Sequence, residues 1–247
     1  MPLDASALRP RLEDRLQPEG IAWLEEAIET LESEPTQIRT LFPVVGRKVG
    51  REPLDPEADP DDPHAWTVDD AARVLLLVSL GADAEPELRD LYRYGDTAER
   101  RGLLRALAYL PIVDRGVGLI DDAIRTNDTR LIAAALGPYA TVHLDDAAYD
   151  QAVLKCVFSE LAITPLDGLP QRATPEGARM LAALVHERIA AGRHVAAEVW
   201  TVIDRHPPEA ELRAIEAELE SPFEDRRRAA ERALEARPAA PEETTTR

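Results

Sequence analysis

The chain has 247 residues, enough for one large domain or two small ones, and its 45% hydrophobic and 31% charged residues describe a globular rather than a disordered protein. Aromatic residues are only 4%, whereas alanine and leucine fill 39 and 31 positions, an alphabet suited to helices. Forty-seven acidic side chains against 29 basic ones give a net charge of -18, which repels phosphate backbones and anionic headgroups and disfavours nucleic acid as a partner.

The N-terminal residues M-P-L-D-A-S-A-L-R-P offer neither a basic n-region nor an apolar h-region, so no export signal is expected. The first helical pattern is Ile21, Leu24, Ile28 and Leu31, spaced for one face of a helix. Pro43, inside L-F-P-V-V-G-R, reads as a kink or as a helix start. Residues 51–64 hold Pro53, Pro56, Pro60 and Pro63 among six acidic side chains, which predicts a mobile loop, either a solvated insertion or a lid over a concave face.

Thr67 with Asp70 has capping spacing and opens a helix. Asp69 and Asp70 precede Arg73 by four and three residues, which a local pair along that helix explains. The apolar run from Val74 to Leu80 is seven long and contains Ser79, far short of the roughly 20 residues a membrane span needs. Asp96 with Glu99 opens the next helix, whose core side is Leu103, Leu107 and Leu110. Asn127, followed by Asp128-Thr129-Arg130, reads as an N-cap, and Tyr139 after Gly137-Pro138 as an anchor that packs its ring and hydrogen-bonds its hydroxyl. Gly137 and Gly192 stand where a left-handed C-terminal residue is wanted.

The pattern over 145–161 is apolar nearly all round and predicts a central, buried helix. Gln151 and Lys155 lie four apart on one side of it. Lys155 is one of only two lysines among the 29 basic residues; its amine suits a carbonyl or phosphate ligand, or a salt bridge to a neighbouring helix. Cys156 reads as a small buried hydrophobe; as the single cysteine it excludes an internal disulfide and fits a reducing cytoplasm.

Thr174-Pro175 opens a helix running to Gly192, with Leu181, Leu184 and Val185 defining its core face. Arg188 falls in that stripe and must snorkel or meet a buried carboxylate. On the other side Arg179, His186 and Arg193 form a basic line across Ala182, Ala183 and Ala190, either a solvated face or one that a helix or ligand approaches closely. His186-Glu187 begins like H-E-x-x-H, but position 190 is Ala190, so the second ligand is missing and no metal is expected. Ser221 with Pro222 and Glu224 opens the last helix, and the residues beyond it form a Pro/Thr/Glu tail. Nucleophile elbows, Walker loops, G-x-G-x-x-G and C-x-x-C pairs are absent, so no cofactor is expected.

Cap positions at Thr67, Asp96 and Asn127 recur about every 30 residues with two short helices each, a rhythm of helical hairpins. The expectation is an all-α, irregular, HEAT-like α-solenoid, a single domain over 1–237 with a disordered tail at 238–247.

Six segments in order resemble the EboA family of bacterial ebo gene clusters: L-F-P-V-V-G-R from Leu41, W-T-V-D-D-A-A-R from Trp66, L-Y-R-Y-G-D-T-A-E-R-R from Leu91, N-D-T-R-L-I-A-A-A-L-G-P-Y-A from Asn127, Q-A-V-L-K-C-V-F from Gln151, and A-R-M-L-A-A-L-V-H-E-R-I-A-A-G-R from Ala178. The chain departs from the family pattern at Gly137, where many members have Asn-Pro-Tyr, and near Tyr149, where they tend to carry Trp then Asn. The resemblance implies a role in metabolite traffic: handling a small-molecule or lipid-linked metabolite beside cluster proteins that resemble a prenyltransferase and sugar-phosphate enzymes.

The resulting expectation is a cytoplasmic, non-enzymatic binding component whose site joins Lys155, Gln151, Asn127, Tyr139, Arg179, His186 and Arg193. Two alternatives remain open. One is an isomerase or transferase acting on a cyclitol or sugar phosphate, with His186 or Glu187 as base and Lys155 as electrophile; the other is an adaptor for the cluster's enzymes.

Overall fold

A computed structural model describes residues 5–169 and 171–238. Among these the chain is helical with no strand, and the one β-bridge is isolated, between Pro53 and Thr67. The expected tail at 238–247 lies, apart from Pro238, outside the described residues. Within the span read as a single domain, contacts group the chain into two compact units: Met1–Leu144 with Pro165–Asp167, and Asp145–Thr164 with Gly168–Arg247.

The first unit is organised around the helix Val68–Leu80, in which only Val78 and Ser79 escape full burial. The capping box expected from sequence is present, with the Thr67 side chain and Asp70 carboxylate satisfying each other's backbone N–H groups. Ala5–Glu13, Pro18–Ser33, Val45–Val49 and Thr97–Ala106 pack against this helix. Thr97–Ala106 in turn carries Thr129–Ala135, against which Val117–Ile124 also packs. Gly102 permits the closest of these approaches, because a Cβ there would stand 2.9 Å from Arg73 Cδ and 3.1 Å from Arg73 Cβ. Pro43 falls in a single 3-10 turn, Phe42–Val44, which joins Ile38–Leu41 to Val45–Val49 and turns Phe42 into the core.

The segment expected to be mobile, 51–64, is closed at its ends. Leu54 N–H donates to Trp66 O at 2.7 Å and Val68 N–H to Glu52 O at 2.9 Å, while Leu54 itself is buried. Further along, Arg130 donates to Pro60 O at 3.1 Å.

The second unit surrounds the helix Pro175–Ala190, which meets Asp146–Phe158, Trp200–Ile203, Glu209–Ala217 and Glu224–Glu235. Its start uses Thr174 as expected: the hydroxyl accepts from Gly177 N–H at 2.9 Å and donates to the buried Asp150 carboxylate. Gly177 is required here, since a Cβ would collide with that carboxylate. Trp200 is fully buried and its indole donates to Ala233 O at 2.9 Å. Arg237 covers the Trp200 ring at 5.1 Å and pairs with Asp204 at 2.7 Å, which anchors this residue.

Several local expectations are corrected. Asp128, not Asn127, caps Thr129–Ala135, accepting from Arg130 and Leu131 N–H groups; a carboxylate one residue closer to the first turn reaches both donors. Gly137 is extended (φ -87) and serves as the N-cap of Pro138–His143, while Gly192 has the left-handed φ of +69 expected of it. The last helix begins at Glu224 with Phe223 at its cap, and Ser221 is turned inward. Asp146–Phe158 is not buried all round, because Gln151 and Phe158 face solvent, Phe158 at 66% exposure.

Trp200→Ala removes the largest fully buried side chain and leaves the Ala233 carbonyl without its donor. We expect a loss of about 3–5 kcal/mol in urea-induced unfolding, the usual cost of emptying an aromatic core site.

Candidate functional site

The site residues expected from sequence fall into the two units. In the second unit Gln151, Lys155 and Arg179 do come together. With Leu154, Phe158, Met180, Ala183, Leu184 and Glu187 they line a shallow groove of 500 Å³ between Asp146–Phe158 and Pro175–Ala190. Gln151 Nε2 lies 3.4 Å from Met180 Sδ. Leu184, read as core, sits half-exposed at this groove, and the buried stripe of its helix is Ala178, Leu181, Ala182, Val185 and Ile189.

The basic line on that helix is met by acids of the following hairpin. Arg179 pairs with Glu176 at 2.6 Å and with Glu211 at 3.6 Å. His186 Nε2 lies 3.0 Å from Glu218 Oε1, and Arg226 pairs with the same carboxylate. His186 is therefore half-buried against the next hairpin, whereas Arg179, though paired, stays exposed, as does Arg193 past the helix end. Burial works to raise the Glu218 carboxyl, but the hydrogen bonds from Arg226 and His186 outweigh it and leave the group below its ordinary value. Arg188 snorkels as expected: its stem is covered, its head donates to His194 O at 2.8 Å and pairs at 2.8 Å with Glu160, a residue 74% exposed. Cys156 is buried, and that burial pushes its thiol up to about 12, so it is not a thiolate near neutral pH.

Asn127 and Tyr139 belong to the first unit. Asn127 is exposed on the turn before Thr129–Ala135. Tyr139 is the anchor the sequence suggested: its ring stacks at 4.4 Å on His143, and its hydroxyl accepts from Gly116 N–H at 2.8 Å. A Cβ at Gly116 would lie 2.9 Å from that hydroxyl, so glycine is needed for the approach. Burial raises the Tyr139 phenol above its ordinary value.

Tyr139 also lines the principal cavity of this unit, 420 Å³ in volume. Its lining includes Leu54, Asp55, His64 and Trp66 of the 51–66 segment, the stretch from Ala133 to Pro138, Arg105 and Tyr109, and the exposed Arg11. A volume within roughly 300–1,000 Å³ is that of a small-molecule site, and this cavity is lined by polar and apolar surface in about equal measure.

Arg105 connects this cavity to a buried ionic cluster. Asp69, Asp70 and Arg73 are 0% exposed, with Arg101 and Arg105 at 6% and 7%. Arg73 pairs with Asp69 at 2.5 Å, as the local reading expected. Asp70 instead reaches across to Thr97–Ala106, receiving Arg101 Nε at 2.9 Å and standing 3.1 Å from Arg105 Nη1. Arg101 also donates to Thr67 Oγ1 at 2.9 Å. Arg105 then donates to Ala65 O at 2.8 Å and His64 O at 3.3 Å, and its guanidinium lies 4.6 Å over the Trp66 ring. Burial lowers the affinity of this guanidinium for its proton, against the opposing pull of Asp70.

Sequence reasoning missed His64, Trp66, Arg105 and Tyr109. The available signal was D-D-x-x-R at the start of an almost wholly apolar helix: its carboxylates could not all point to water, and partners on another helix had to exist.

Fold and cavity together describe an all-helical protein whose first unit holds a cavity of small-molecule size. The family model described as "Metabolite traffic protein EboA" matches residues 5–204, and the chain belongs to the EboA family. No curated protein and no solved structure shows significant similarity to it. Among the described residues no helix is long and apolar enough to cross a membrane.

Asp70→Ala leaves Arg101 and Arg105 buried without their shared carboxylate. A loss of about 3–5 kcal/mol in chemical denaturation is expected. The Glu218 contact predicts a pH effect: a lowered carboxyl contributes stability above its ordinary value that is lost as pH falls through the lowered one. Glu218→Gln should therefore flatten the acid limb of the stability-versus-pH curve measured by thermal melts.

Proposed function

We propose that this chain is a non-enzymatic binding component of a bacterial metabolite-traffic system, and that the cavity of its first unit holds the metabolite. The single observation behind this reading is the cavity itself: 420 Å³, with Trp66, Tyr109 and Tyr139 beside Arg105 and His64, in a chain of the EboA family. Aromatic faces bind an apolar body at small entropic cost, while one or two buried polar groups orient it. Tyr139 is accordingly a ligand-contacting residue, and the 51–66 loop is a wall of the site rather than a detached insertion.

The proposal extends to the cargo, a small molecule or a lipid-linked metabolite, to cytoplasmic action alongside proteins of the same gene cluster, and to a HEAT-like stacking of the helical hairpins. Consecutive packing of Val68–Leu80, Thr97–Ala106 and Thr129–Ala135 supports that stacking within the first unit.

A second reading is favoured by one observation in the second unit. The groove with Leu154, Phe158, Met180 and Leu184, edged by Gln151, Lys155 and Arg179, suits an adaptor that docks a cluster protein.

Native mass spectrometry of protein co-expressed with its genomic neighbours tests the main reading. The expected result is a defined small-molecule adduct on the wild-type chain that is lost in Gly137→Trp. Gly137 lines the cavity, and the nearest atom to a Cβ there is 3.8 Å away, so this variant fills the site without a clash at Cβ. A stoichiometric neighbouring protein with no adduct would favour the adaptor instead.

A further inference from the structure

The buried cluster is not neutral. Its members Arg73, Arg101 and Arg105 bring three guanidiniums against the two carboxylates of Asp69 and Asp70, and every one of the five is at most 7% exposed. An uncompensated buried cation is costly, because neither water nor salt screens it. Arg73 holds Asp69 and lies 5.5 Å over the Phe42 ring, with its Nε and Nη2 completing no hydrogen bond, and Arg101 holds Asp70 through both oxygens at 2.9 Å. Arg105 shares Asp70 with Arg101 and fills its remaining contacts with the His64 and Ala65 carbonyls and the face of Trp66. Its Nη1, 3.1 Å from Asp70 yet poorly aligned, completes no hydrogen bond.

Arg105 is also the one member of the cluster that lines the cavity. One cation of a cluster with more guanidiniums than buried carboxylates thus borders the space that a ligand would fill, although Asp62 also acts on it from the loop. The acids that line the same cavity are placed differently. Asp55 is exposed and its carboxylate accepts the Glu57 N–H at 3.0 Å within its own loop, and Asp167 is only half-buried. In a chain of net charge -18, an unscreened cation at a cavity is a local exception to a field that otherwise repels anions.

We propose that the cavity of the first unit selects a ligand with one anionic group, a carboxylate or a phosphate, on a flat apolar body, the anion balancing the buried arginine cluster at Arg105 and the body lying against Trp66 and Tyr139. This rests on the reading of that cavity as the metabolite site. Charge-assisted hydrogen bonds from a guanidinium suit both head groups, and the aromatic lining accepts a planar body.

The test uses isothermal titration calorimetry on the full chain with matched probes: 1-naphthoate against neutral 1-naphthamide, and 1-naphthyl phosphate against 1-naphthol. The expected result is that at least one anion binds about tenfold or more tightly than its neutral partner; whichever pair shows the larger ratio identifies the head group. Arg105→Lys, which keeps the charge, should retain the preference, and Arg105→Gln should abolish it where circular dichroism confirms folding. Should Arg105→Gln not fold, the wild-type ratios decide the matter alone. Gly137→Trp should weaken all four probes. Equal affinity of anion and neutral partner, both lost in Gly137→Trp, would overturn the charge inference and leave the metabolite site standing. Absence of binding by both anions at millimolar concentration would also overturn it. A native adduct lost in Gly137→Trp would then still support the metabolite site, and no adduct would remove both.

Discussion

A helix that is buried on nearly every side must still begin, and its first N–H groups must find acceptors away from water. In Val68–Leu80 that need is met by the Glu52 carbonyl, which accepts from Val68 N–H, and by the Thr67 hydroxyl, which accepts from Asp70 N–H; the Asp70 carboxylate accepts the Thr67 N–H in return, and Asp69 and Asp70 both stand in the first turn, where the helix dipole favours negative charge. Two buried carboxylates then require cations, and the neighbouring helix Thr97–Ala106 supplies Arg101 and Arg105. This exchange sets the register of the two helices, because a guanidinium paired in a dry interior cannot slide by a turn without losing its partner. Gly102 lets the backbones come close enough for it to form.

The cavity depends on the same interaction. Arg105 is held by Asp70 on one side, and on the other it takes the carbonyls of His64 and Ala65 and the ring of Trp66. The acidic, proline-rich loop is thereby tied to the core at the point where it forms a wall of the cavity. Across that space Tyr139 is fixed by the Gly116 amide. Arg105 and Tyr139 are thus held in place by buried contacts at the cavity lining, so filling this space needs little further ordering of them.

The second unit solves a related problem with different means. Thr174 caps Pro175–Ala190 and passes a hydrogen bond to buried Asp150, and Gly177 leaves room for that carboxylate. Arg179 and His186 look on a helical wheel like a surface waiting for an anion. Glu211 and Glu218 already occupy them. Tyr149 is buried under the Arg172 guanidinium at 4.4 Å.

The sequence by itself determined the helical class, several helix starts, and the buried character of Cys156 and Tyr139, because capping, periodicity and burial of small apolar side chains are local or nearly local effects. Thr67, Asp96 and Thr174 all cap where spacing placed them. The misplaced start at Asn127 shows the limit of that reading, since adjacent Asn and Asp compete for the same donors and only backbone geometry chooses. The cavity was decided by tertiary structure alone. His64, Trp66, Arg105 and Tyr139 are up to 75 residues apart in the chain, and no periodicity connects them. The partners of Asp70, Arg179 and His186 were decided in the same way, because an ionic partner on another helix leaves no trace in the spacing of either one.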